Sequence, residues 1–381
     1  MIRGFCSAGG EEPLDRAGYN GTMNQQQRRI PNKRKLLYSA IIVMLPLLAV
    51  EVALRIVYSR IERITGVGQF RKAEFGGLTY HWDRYHPRYG WTNVPGYRSD
   101  DQIPFQVTIN QQGLRAATEY SIRPEPGVYR IAVLGDSCTF GEEVHDNETV
   151  PYYLERHLSG SEVLNFGIHG FGIGQMGMRL EDEVFAFSPH HVLVNVMIHE
   201  DVLRATSDQF VYNKPVFSLL DSRLQIANVP VPEASQQLWL YRNCFTASWL
   251  FARPKQKLPA TGQPVEVATA ILKRMQQRCS DQGVRLTVLL FVSPHVLKLM
   301  KQNEKWRRFN YNMARSLQRL DMDVLDEVVN LENLYSQNPT SKLSMPAGHW
   351  SPTGNRFIAL RLAKHLVTLD KRITLRPKGK R

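Results

Sequence analysis

Residues 130–141, Arg-Ile-Ala-Val-Leu-Gly-Asp-Ser-Cys-Thr-Phe-Gly, decide how this chain is read. Ile131 to Leu134 is a short, wholly apolar run, which suits a strand buried on both faces of a parallel sheet. The run stops at Gly135, and Asp136 and Ser137 follow at once. A second glycine, Gly141, precedes a polar loop and then a helical pattern. A hydroxyl placed where a buried strand meets a helix lies at the carboxyl edge of the sheet, where open α/β folds bind ligands. Amide N–H groups of such a turn stabilise negative charge. The plainer reading is a strand-to-helix turn with Asp136 or Ser137 as a helix cap.

Outward from this stretch, strand and helix patterns alternate. Strands are expected at 163–165, 192–198, 285–292 and 322–325, with helices over 175–187, 265–282, 302–319 and 352–369. Such alternation predicts an α/β fold of three layers, a parallel sheet flanked by helices. Residues 204–262, dotted with prolines, break the alternation as a long insertion beside or over the sheet's carboxyl edge. Before the first strand, residues 80–128 read as a small β-rich extension, with alternating apolar positions at 105–109. Its aromatic residues Trp82, Tyr85, Tyr89, Trp91 and Tyr97 either fill core or form a platform for sugar.

A serine hydroxyl is a weak nucleophile unless a base takes its proton. The candidate base is His349, in the loop Ala347-Gly348-His349-Trp350-Ser351-Pro352 just before the closing helix. Asn165-Phe166-Gly167-Ile168-His169-Gly170 follows the second strand, and His199-Glu200-Asp201 follows the third. Together with Gly135-Asp136-Ser137, these blocks resemble the SGNH, or GDSL, hydrolase family, from about Tyr80 to Leu369. The resemblance implies a flavodoxin-like sheet, with Ser137 as nucleophile and His349 as base. It also implies a backbone N–H donor to the oxyanion at Gly170. Two blocks depart from the pattern. His199 stands where the family carries an Asn that donates to the oxyanion; a ring N–H can also donate, and it would add pH dependence near neutrality. The acid usually found two or three residues before the histidine is absent, since Pro346 and Ala347 occupy those positions. Asp326, after the fifth strand, is the expected substitute, with a turn cap as its ordinary role.

Composition bounds the rest. The net charge is +13, but residues 1–35 carry +4 and residues 371–381 carry +6, so +3 falls on the 335 residues between. The basic character lies in the tails, and a nucleic-acid groove in the body is not expected. Residues 1–35 read as a basic cytoplasmic lead, with Met23 as a candidate natural start. Residues 36–58 form an apolar run interrupted by Pro46, Glu51 and Arg55. As a helix they reach roughly 34 Å, enough to span a hydrocarbon core. A cleaved signal peptide and a buried helix are the rivals. The basic cluster before the run favours an inside N-terminus. That order gives an anchor at 36–58, a connector at 59–79, the β-rich extension, an extracytoplasmic catalytic domain at 129–370 and a basic tail. Cys6, Cys138, Cys244 and Cys279 show no metal-ligand spacing; Cys138 reads as packing, and Cys244 with Cys279 pairs only in an oxidising compartment. No metal or organic cofactor is expected. The expected activity is ester hydrolysis or O-acyl transfer through an acyl-Ser137 intermediate, on acyl groups of extracellular polysaccharide or lipid. The alternative is a degenerate domain that binds glycan or a polysaccharide-assembly partner.

Overall fold

The computed structural model describes residues 32–65, 82–99, 103–207, 213–231, 263–338 and 340–377. Met23, Cys6, Cys244 with its pairing to Cys279, residues 66–79 of the connector, residues 232–262 of the insertion and the last four residues lie outside them.

Five strands form a parallel sheet: β1 Tyr129–Gly135, β2 Ser161–Gly167, β3 His191–Met197, β4 Arg285–Phe291 and β5 Asp323–Asp326. Their order is β5-β4-β3-β1-β2, the flavodoxin-like arrangement that the family resemblance implies. β1 is buried at every position, because it is central and covered on both faces. Even Arg130 is enclosed, its guanidinium paired with Glu162 at 2.6 Å and donating to the carbonyls of Ser121, Ile122 and Phe187. A buried charge is tolerable only with such partners.

With right-handed crossovers, the reversal of winding direction after β2 sorts the helices into two groups. Val150–His157 packs with the closing helix Pro352–Leu369, while Ile173–Asp182 packs with Gln263–Asp281. The same reversal leaves the crevice between the carboxyl ends of β1 and β3 open, and Ser137 stands immediately after β1.

The segment before β1 is less strand-like than the sequence suggests. Asp83–His86 and Gly90–Asn93 form a hairpin, whereas the region around 105–109 contributes only the isolated bridges Arg98–Thr108 and Ile109–Arg115. Trp82, Tyr89 and Trp91 are fully buried, so these three fill core rather than offer a sugar platform. Trp82 packs with Val107, Ile109 and Phe140 in a small second core against the turn that carries Ser137. Of the insertion, the described part holds the hairpin Val216–Leu220 and Arg223–Ala227, which packs beside Gln263–Asp281.

Near the N-terminus, helix Asn32–Thr65 contains a stretch, Lys33–Ala53, long and apolar enough to cross a membrane.

Candidate active site

Asp136 caps the four-residue helix Ser137–Phe140 by accepting from the Cys138 N–H at 3.0 Å. Gly141 ends it in the left-handed conformation, φ +85°, and the N–H groups of Gly141 and Glu142 both return to the Ser137 carbonyl. Glu143 follows at φ +67°, a strained value for a residue with a side chain. These two left-handed residues fold the chain back on itself, so Glu142 and Glu143 end beside the serine they follow. Asn165 holds the short helix by donating to the Thr139 carbonyl at 3.0 Å. Arg115, from the extension, donates to the carbonyls of Phe140 and Gly141.

His349 arrives from the other end of the chain. Its loop is pinned by Trp350, whose Nε1–H donates to the Val292 carbonyl at 3.1 Å. Ser351 then caps the closing helix through the Gly354 N–H. Nε2 of His349 lies 3.0 Å from Ser137 Oγ, and Nδ1 lies 2.8 Å from Glu143 Oε2. The other oxygen, Oε1 of Glu143, accepts from the Ala347 N–H at 2.8 Å. Serine, imidazole and carboxylate therefore form one continuous row. A second carboxylate, Glu142, approaches the opposite ring nitrogen, with Oε2 3.7 Å from Nε2. Burial works against the imidazolium, but the Glu142 charge, the Glu143 hydrogen bond and charge, and the Asp136 charge outweigh it. They hold His349 up at about 9.

The structure brings Ser137 and His349 together, as the motifs suggested. It places Asp326 elsewhere: its Oδ1 accepts from the Val328 N–H at 2.9 Å, a turn cap, and the His349 Nδ1 it was expected to reach is occupied by Glu143. Gly170 sits in the turn after β2 at φ +69°. His169, beside it, is buried and paired with Asp83 of the hairpin at 3.1 Å. His199 lies in the first turn of helix Ile198–Ala205, edge-on to Trp306 and Phe309. Its ring nitrogens are buried and accept or donate no hydrogen bond within the described protein. Burial, with smaller contributions from Arg204 and His295, pushes its pKa down to about 4 against the pull of Glu200. The pH dependence near neutrality expected of His199 is therefore corrected: the ring is neutral there and keeps one N–H.

Arg204 was not singled out from the sequence, yet it ties two of the blocks together. It lies 3.4 Å from Asp136 and 3.1 Å from Asp201, and donates to the Phe171 carbonyl. Asp201 in turn accepts from the Met197 N–H at 2.7 Å. Burial raises the pKa of both aspartates, that of Asp201 well above the ordinary carboxylate range with the Asp136 charge adding to it, and Arg204 offsets only part of the rise. Cys138 and Cys279 are buried free thiols, and burial pushes both up, Cys279 to about 12.

No known family profile matches the sequence, and no curated protein does. Among solved structures, the chain is similar to a lipolytic protein of the G-D-S-L family from Desulfitobacterium hafniense. That likeness has 15% identity and a TM-score of 0.38, over 62% of this chain and 98% of the other. It is also similar to a lipase/acylhydrolase from Enterococcus faecalis, at 14% identity and TM-score 0.39, over 66% and 100%. A third is a catalytic mutant of Axe2, an acetylxylan esterase from Geobacillus stearothermophilus, at 15% and 0.39, over 62% and 94%. Likeness at this level says nothing about substrate, so the chemistry is read from the site itself.

Proposed function

We propose that this protein is a serine acyl-ester hydrolase of the SGNH type, tethered by helix Asn32–Thr65, with Ser137, His349 and Glu143 as its triad. The observation that carries the reading is the continuous row from Ser137 Oγ through His349 to Glu143, at 3.0 and 2.8 Å. A histidine at hydrogen-bond distance from a serine, itself oriented by a carboxylate, is the arrangement that activates the hydroxyl. Ser137 Oγ attacks the ester carbonyl while Nε2 takes its proton. Glu143 keeps the remaining proton on Nδ1 and stabilises the cation that forms. The Gly170 N–H and the neutral His199 ring donate to the oxyanion. The alcohol leaves with the proton from Nε2, and a second nucleophile releases the acyl group from Ser137. The acid missing before His349 was the ground for a binding-only domain. Glu143, supplied from the nucleophile's own loop, removes that ground.

The acyl groups belong to carbohydrate or lipid outside the cytoplasm, in keeping with the basic residues that precede the apolar helix. The test uses detergent-solubilised full-length protein, an activated acetyl ester and a fluorophosphonate probe. Wild type turns over the ester and is labelled at Ser137, and Ser137→Ala and His349→Ala abolish both. An unlabelled, inactive wild type overturns the reading in favour of the binding domain.

A further inference from the structure

Glu142 has no role in a serine triad, yet it is built into this one. Its side chain is 1% exposed, and among the described residues neither carboxylate oxygen accepts a hydrogen bond. Leaving a carboxylate so placed is costly unless something meets it. Two histidines lie in its field. His349 is nearest, with Nε2 at 3.7 Å, and the Glu142 charge also raises the proton affinity of His169, which Asp83 holds from behind. Neither imidazole hydrogen-bonds it. A separation of 3.7 Å is too long for a direct hydrogen bond and is the span that a bridging hydroxyl closes. An oxygen about 2.8 Å from both Nε2 and Oε2 fits that gap.

Which hydroxyl fits is a question of proton count. The nucleophile that attacks the acyl-enzyme must give one proton to Nε2, because that is the base. Water has a second proton to give to Glu142, and an alcohol does not. With an alcohol in place, the buried carboxylate keeps the His349 charge nearby but receives no hydrogen bond, the situation in which a site rejects an analogue lacking one donor.

Resting on the acyl-Ser137 reading, we infer that Glu142 is a catalytic residue that selects water over alcohols as the deacylating nucleophile, making the protein a hydrolase rather than an acyltransferase. The water oxygen bonds to the acyl carbon as one of its protons passes to His349 Nε2. The bond from the acyl carbon to Ser137 Oγ then breaks, and the Nε2 proton goes to Oγ. The other proton, held by Glu142 throughout, stays on the product as the hydroxyl of the carboxylic acid. Atoms and charge balance: acyl-serine and water give the acid and free serine.

The test reads the branch after acylation. Full-length enzyme is given 4-nitrophenyl acetate in aqueous methanol, and acetate and methyl acetate are both measured. Their ratio depends only on how the acyl-enzyme partitions, so a variant that merely slows acylation leaves it unchanged. Wild type should yield chiefly acetate and show no molar preference for methanol over water. Glu142→Leu should raise the methyl acetate to acetate ratio by about tenfold or more, as expected when the second acceptor is lost. Glu142→Gln keeps an acceptor carbonyl and should stay within about threefold of wild type. An unchanged ratio in Glu142→Leu, or a molar preference for methanol in wild type, overturns the inference. The wild-type measurement stands even where Glu142→Leu fails to fold. Absence of both products and of any acyl-serine overturns instead the esterase reading on which it rests.

Discussion

Glu143→Gln changes one atom of the candidate triad, and the structure states what that atom does. Oε1 of Glu143 accepts from the Ala347 N–H at 2.8 Å, and Oε2 faces His349 Nδ1 at 2.8 Å. In the glutamine variant the amide NH₂ cannot face the Ala347 N–H, since two donors would meet. The carbonyl therefore stays on Ala347 and the NH₂ turns to Nδ1. Nδ1 must then accept, which moves the ring proton to Nε2, where it points at Ser137 Oγ instead of receiving from it. A serine triad with its histidine in that tautomer loses about four orders of magnitude in rate, or about 5 kcal/mol of transition-state stabilisation. Glu143→Ala deletes the carboxylate but leaves the tautomer free. The ordering is the decisive feature, since on steric grounds alone the isosteric glutamine should be the milder change. The assay is kcat/KM on an activated acetyl ester at pH 9, with thermal unfolding as a check that both variants fold. Glutamine should be at least as damaging as alanine. A glutamine variant within tenfold of wild type, beside a crippled alanine variant, refutes the tautomer argument and Glu143's place in the triad.

Other outcomes follow from the same geometry. Because His349 is held at about 9, roughly 1% of it is the free base at pH 7, and a pH–rate profile should rise with a midpoint near 9. Glu142→Gln removes the largest charge supporting the imidazolium and should move that midpoint down. A midpoint that stays put counts against it. The folded-state pKa is raised above the ordinary 6.5, so the stability His349 contributes is complete below about 6.5. It is lost as pH rises through about 9, about 3 kcal/mol in all; denaturant melts at pH 6 and pH 10 in wild type and His349→Gln should show it. His199→Asn should keep activity, and His199→Ala should lose about 3 kcal/mol of transition-state stabilisation, read from kcat/KM. Asp326→Ala should leave turnover within about threefold and cost about 1 kcal/mol of stability as a lost cap; a loss of turnover above tenfold would return it to the site. Full-length protein should remain with the membrane pellet after alkaline carbonate and come out with detergent, and recovery of the intact chain in the carbonate supernatant would refute the anchor.

How far the sequence carried the reading depended on whether a feature was local. β1 was legible because a run buried on both faces has no need of polar alternation, and the alternation of strand and helix announced a parallel sheet between helices, while its flavodoxin-like form was implied only by the family resemblance. The Gly-Asp-Ser turn was legible because turn, cap and nucleophile are neighbours. Glu142 and Glu143 were in plain view, directly after Gly141, but their partner lies 206 residues on from Glu143. Nothing in a Gly-Glu-Glu triplet announces that its third residue takes a left-handed φ. Neither His349's own loop nor the end of the fifth strand supplies the acid, and Asp326 there already accepts from a turn N–H, that of Val328. Arg204 was missed for a related reason: a lone arginine in a helix carries no sign that two buried aspartates from different blocks will close on it. The strand pattern at 105–109 failed in the opposite direction. Its alternation is genuine, since Val107 and Ile109 are buried, but the segment pairs through single bridges around a small core instead of joining a sheet.

In the proposed triad, carrying the acid on the loop of the proposed nucleophile changes what sets the precision of the site. With the acid on the histidine's loop, base and acid arrive together and must dock as a unit on the serine. Here Ser137 and Glu143 are six residues apart on one tight turn, fixed by Asp136, Gly141, Asn165 and Arg115. Only His349 has to be brought in. The Ala347 N–H is the link that brings it, because it hydrogen-bonds the same carboxylate that receives Nδ1. Glu143 is thus both the orienter of the ring and the clamp on the loop that carries it, and Trp350, bonded to the Val292 carbonyl at the end of β4, supplies the other anchor. The strained φ at Glu143 belongs to this economy. A glycine there would relieve the backbone but leave His349 with neither its carboxylate nor its clamp.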